Sequence, residues 1–187
     1  LLIVLGTVIW LASFGLFRHP GFVALGLGAG NLALLAVGWF LLLRTGHHHA
    51  GRALTLLACL LMPLHLWFYH THDLMRVEEH LWLAGMVCCV VYTARALILR
   101  DSLFVYVLVG GVTLTGMLIL AQMQLFGEVL SPVTFLVVIG LVCLHLERVF
   151  PPGEGPFSRQ SFGMAFYWCS VAVIALGLLV LLGAQTL

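Results

Sequence analysis

The chain has 187 residues, of which 63% are hydrophobic and 8% charged, and its formal net charge is +1. A soluble domain carries roughly 25% charged residues, so this composition cannot clothe a water-exposed surface, and the near-zero charge leaves no basic footprint for nucleic acid. The chemistry describes an integral membrane protein with the lipid bilayer as its solvent and little of the chain outside it.

Seven apolar runs follow one another: Leu1 to Phe17, Phe22 to Leu43, Ala53 to Tyr69, Leu81 to Leu99, Leu103 to Gln122, Ser131 to Val149 and Gly163 to Ala184. Each is close to the roughly 20 residues that a helix needs to cross hydrocarbon. None alternates as a barrel strand does, and an open strand edge in lipid would leave its backbone groups unsatisfied. The expectation is an all-α, polytopic transmembrane helical bundle of about seven spans, forming a single domain over residues 1–187. The chain opens inside one apolar run and stops just after another, without an initiator Met, and reads as a fragment of something longer.

The breaks between runs carry their own signals. Arg100 and Asp101 are nearly the whole connector between two spans, which predicts neighbouring antiparallel helices. Ser131 followed by Pro132 reads as a helix cap and a first-turn proline. The run from Pro151 to Pro156 cannot continue a helix. Arg44, Arg52, Arg95, Arg100, Arg148 and Arg159 lie at the even-numbered connectors, against Arg18 and Arg76 at the odd ones. Basic residues gather on the cytoplasmic side, so the expected home is a bacterial inner membrane with the N-terminus inside and the third connector outside.

That third connector holds the densest store of metal-ligand types: His65, His70, His72, Asp73, Glu78, Glu79 and His80. His70, His72 and His80 are the candidate metal ligands, with a carboxylate as further ligand or base. The competing expectation is an interfacial belt, because Trp67, Phe68, Tyr69 and Trp82 are the residue types that collect at headgroup level. His65 lies a turn inside its span, where a polar ring must find a partner. Its spacing to His70 matches the first histidine box of membrane desaturases, yet no later paired boxes follow. A bis-histidine haem with His145 would ask two rings to meet that lie about 10 Å or more apart in depth. No cofactor is therefore expected. His47, His48 and His49 form a tract read as a solvated loop.

Cys59, Cys88, Cys89, Cys143 and Cys169 all fall inside apolar runs and include no CxxC pair, so they read as small buried hydrophobes rather than a zinc or disulfide framework. No Asp or Glu stands at mid-depth, which counts against a proton-driven carrier. Gly26, Gly28 and Gly30 beside Asn31, and Gly110, Gly111 and Gly116 further on, are expected to be close-packing faces.

The alternation of long Leu-, Val- and Ala-rich helices with the polar aromatic elbow from Trp67 to Asp73, followed by the Arg-led hairpin at Arg100 and Asp101, resembles the large multi-span bacterial membrane proteins of unknown function. The resemblance runs over most of the chain and implies a polytopic membrane domain, bacterial and part of a longer chain. Those families have no assigned activity, so no functional residue is carried over. The functional expectation is a non-enzymatic membrane module packing with other membrane subunits or with the rest of a longer chain. The alternatives are a metal-dependent enzyme or redox protein using His70, His72 and His80, and a transporter or channel with a polar path past Asn31.

Overall fold

A computed structural model describes residues 19–45, 47–74, 80–155 and 157–185. The expected span from Leu1 to Phe17 lies outside the described residues, as do Gly46, Arg76, Glu78 and Glu79. Six helices long and apolar enough to cross a membrane are found among the described residues, and no strand is present there. The protein is a multi-pass, all-helical membrane protein. Its chain divides into two compact units, Leu1–Arg76 and Val77–Leu187.

In the first unit, helix α1 spans Pro20–Phe40 and runs on through a π-helical turn, Leu41–Thr45. His19 is extended, at φ −100° and ψ 111°, as a residue before proline must be, and the missing N–H of Pro20 costs nothing in a first turn. Helix α2 spans His48–Thr71. His48 and His49 therefore belong to a helix start rather than a loop, a correction to the sequence expectation; both remain exposed. The amide of Gly51 bonds the carbonyl of His47, which opens the helix without a polar cap side chain. At the other end, Asp73 adopts φ 53° and the Leu74 amide donates to the Tyr69 carbonyl at 2.9 Å. Aspartate here fills a left-handed post-helix position that glycine usually takes.

The second unit contains α3 (Leu81–Leu99), α4 (Leu103–Gln122), α5 (Leu130–Val149) and α6 (Met164–Gln185), the last preceded by a π-helical turn, Arg159–Gly163. Arg100 turns the chain at φ 51°, and the Asp101 carboxylate accepts the Leu103 amide at 3.0 Å. The short connector thus makes α3 and α4 the antiparallel neighbours that the sequence predicts. Ser131 is not the cap of α5. That helix begins one residue earlier, Val129 stands at the cap position, and the Ser131 amide bonds the Glu128 carbonyl. Pro132 still falls within the first turn, where it removes no intrahelical bond.

Packing rests on three seams, α1 with α2, α3 with α4, and α5 with α6, while α4 also touches α5 and α6. Small residues make the close approaches. A Cβ built on Gly51 would stand 2.7 Å from the Gly38 carbonyl, and one on Gly111 would stand 2.7 Å from the Tyr92 ring. Gly85 meets Thr115, Gly116 meets Phe135, and Gly140 meets Ile174. Outside the seams the helices bury little: between 17% and 33% of each span's most apolar stretch is covered by protein. Leu25, Val90 and Leu130 are more than two-thirds exposed. Hydrocarbon is the solvent that such a surface requires.

The glycine expectation needs revision in α1 and at Gly110 of α4, where a Cβ would meet nothing within 4 Å among the described residues. Among the described residues nothing lies within 4 Å of a Cβ built at Gly26 or Gly30, and Gly28 has only the Tyr69 hydroxyl at 3.8 Å. The tight contact of α1 is made by Gly38 instead, because the buried stripe of this helix is Asn31, Leu35 and Gly38, one residue per turn on the face opposite Gly51 and Thr55.

Candidate functional site

The histidines proposed as metal ligands occupy helix ends. His70 and His72 close α2 in the first unit, and His80 precedes α3 in the second at φ 73°. All three are exposed. The Phe68 carbonyl can only accept, so the 3.2 Å contact from His72 Nδ1 fixes the proton on Nδ1, which also reaches Thr71 Oγ1 at 3.1 Å. The His72 ring stacks on Phe68 at 4.1 Å between centroids. This leaves Nε2 as its open lone pair. His80 stacks against Trp82 at 6.2 Å. Both rings lie among aromatic side chains at a span end, as in an interfacial belt. Among the described residues no three His, Cys, Asp or Glu side chains stand close enough together to hold a metal ion.

His65 is half-buried and its ring is tilted 6.5 Å from that of Tyr69. His145 is exposed on α5, its Nδ1–H donating to the Leu141 carbonyl at 2.8 Å. The five cysteines carry free thiols; Cys59, Cys143 and Cys169 are buried in seams.

The polar groups at depth turn inward to the backbone. Thr55 Oγ1 donates to the Gly51 carbonyl at 2.7 Å, Thr115 Oγ1 to Gly111 at 2.8 Å, Thr113 to Val109 at 2.8 Å and Thr93 to Cys89 at 2.8 Å. Each donates its hydroxyl within its own helix, four residues back, and Thr115 Oγ1 also lies 3.6 Å from Cys89 Sγ across the α3–α4 seam. Asn31 Oδ1 and Arg95 Nη1 are the exceptions, buried atoms that make no hydrogen bond among the described residues. Arg95, counted in the sequence with the connector arginines, lies within α3 instead: it is 7% exposed, beside Tyr92 and Ala96 on the buried stripe of that helix, and both Arg95 and Tyr92 are engaged by neighbours. A guanidinium one turn from a helix end could reach the interface, but the stripe to which position 95 belongs points into the seam.

At one end of the second unit the connectors meet. The Arg100 guanidinium carbon lies 5.9 Å from the centre of the Phe157 ring. Phe157, Phe162, Phe150 and Phe166 form a chain of ring contacts there. Glu147 Oε1 accepts both Nε and Nη2 of Arg159, at 2.9 and 2.7 Å. Sequence reasoning did not identify this pair. The two residues are twelve positions apart across a proline-rich turn, and only the turn's path brings them together. Comparison with protein-family models, curated proteins and solved structures finds no match to this chain.

Proposed function

We propose that the chain is a non-catalytic membrane module, built to pack beside other membrane segments of a larger protein or complex. The observation that supports this reading is the disposition of its polar side chains at depth. Thr55 and Thr115 bond their own helices and sit in the notches left by Gly38 and Gly85. These two hydroxyls permit close helix approach and spend their donors on their own helices. Acidic residues would form the relay of a proton-driven carrier; Asp73, Asp101, Glu128, Glu147 and Glu154 all stand at or near helix ends. The wide apolar exposure of each helix offers surface for lipid and for neighbouring subunits.

The module's home in this proposal is a bacterial inner membrane, with the Arg-rich connectors facing the cytoplasm and the N-terminus inside. The contact of Arg100 with Phe157 supports the side assignment within the second unit, since the connectors bearing Arg100, Arg148 and Arg159 share one end.

Metal analysis of the purified protein separates this function from the metal-enzyme alternative. Less than about a tenth of an equivalent of zinc, iron or copper is expected. Near one equivalent, lost together in His72→Ala with His80→Ala, would overturn the scaffold reading in favour of an enzyme or redox protein.

A further inference from the structure

The α3–α4 seam is closed on its inner side by Gly85, Tyr92 and Gly111 and open on its outer side. There the two helices leave a groove of about 720 Å³, whose walls include Met86, Val90 and Leu97 on α3 and Leu108, Val112 and Ile119 on α4. Its floor is shallow-sided because Cys89, Thr93, Ala94 and Gly116 are small. Val90 is 68% and Leu97 55% exposed, so the groove opens on the apolar surface of the second unit. From Met86 to Leu97 it runs about 16 Å at the helical rise, half of a roughly 30 Å hydrocarbon core. Phe135 of α5 enters beside Gly116, at the Met86 and Ile119 end.

The other end points to a headgroup. Three residues beyond Leu97, just past the end of α3 where the chain turns at φ 51°, stands Arg100, exposed and resting on the Phe157 ring. No carboxylate among the described residues pairs with it. An unneutralised guanidinium at the span end nearest Leu97, where an apolar channel one leaflet deep begins, complements an anionic amphiphile: phosphate at the cation, chain in the channel. A helix from a second copy would instead need a seam running through both leaflets, and Phe135 stops this one halfway.

We propose that the outer groove of α3 and α4 seats one acyl chain of an anionic phospholipid whose phosphate is held by Arg100. The probe is an equal mixture of phosphatidylglycerol and phosphatidylcholine in detergent micelles, with bound lipid counted by native mass spectrometry. One phosphatidylglycerol per chain is expected, preferred about five-fold, the factor that roughly 1 kcal/mol per basic residue near an anionic surface provides when 1.4 kcal/mol is tenfold. Arg100→Gln should bring the two lipids to equal retention while leaving lipid bound. Ala94→Trp, at an exposed position that fills the floor, should reduce retention of both; Thr93→Trp is the second filling variant should the first fail to fold. Equal retention of the two lipids by the wild type, or undiminished retention in a folded floor variant, would overturn the proposal. A dimer that Ala94→Trp dissociates would overturn it too, by giving the groove to a second copy.

Discussion

Gly110 and Gly111 are adjacent, identical in kind and at the same depth in α4, yet the seam makes opposite demands on them. Among the described residues a Cβ on Gly110 meets nothing within 4 Å, whereas one on Gly111 lies 2.7 and 2.9 Å from two atoms of the Tyr92 ring and 3.5 Å from Cys89 Sγ. Tyr92 is 1% exposed, one of the largest fully buried side chains. Alanine at either position gains the helix preference that glycine lacks, about 1 kcal/mol. At Gly111 the added methyl also forces the helices apart or drives the ring off its rotamer, an overpacking cost of about 1 to 3 kcal/mol. The preference cancels between the two variants, so their difference isolates the steric term. Gly110→Ala should therefore match or exceed the wild type, and Gly111→Ala should fall below Gly110→Ala by that amount. For a chain of this size each kcal/mol moves Tm by roughly 2–4 °C, so thermal unfolding in one detergent should separate the variants by about 2 °C or more. Equal melting temperatures would show that α3 and α4 do not meet at Tyr92 and would refute the seam as described.

Three further outcomes follow from the same geometry. Cysteine introduced at Thr71 should react with an impermeant maleimide added to intact cells, and cysteine at His47 should not; the opposite pattern inverts the proposed orientation. Gly51→Ala, whose Cβ would meet backbone atoms of Gly38 and Leu42 that no rotamer change can move, should lower stability by about 1 to 3 kcal/mol, and a melting temperature equal to that of the wild type would remove the α1–α2 contact. Glu147→Gln should cost no more than about 1 kcal/mol, because Arg159 is 53% exposed and solvent-exposed pairs are weak; a loss of several kcal/mol would mean that the turn from Pro151 to Ser158 depends on this pair.

The spans were legible because lipid imposes a length and a solubility on every helix, and both can be counted. The tight turn at Arg100 and Asp101 was legible for a related reason: two residues cannot join helices that are not neighbours. Helix ends were read less well. The π-helical continuation to Thr45 and the early start of α2 at His48 place polar residues in helical conformation at the interface, where water tolerates them, so polarity alone misplaces the boundary. Ser131 was misread because a serine before a proline is a strong local signal, and the backbone of Val129 and Leu130 was already helical.

Facing was the hidden quantity. In a soluble helix the apolar stripe marks the buried side; in these spans nearly every position is apolar, and the contrast that would reveal a face is lost. Gly26 and Gly30 carry the spacing of a packing motif and meet nothing among the described residues, while Gly38, without a motif partner, makes the contact. The same loss of contrast hides the groove beneath Arg100, whose walls are ordinary Val, Leu and Ile and whose floor is defined by what is small. A site in such a protein is written in side-chain volume and in the few cations at span ends, so the positions that decide its chemistry are those where a small residue on one helix stands opposite a small residue on the next.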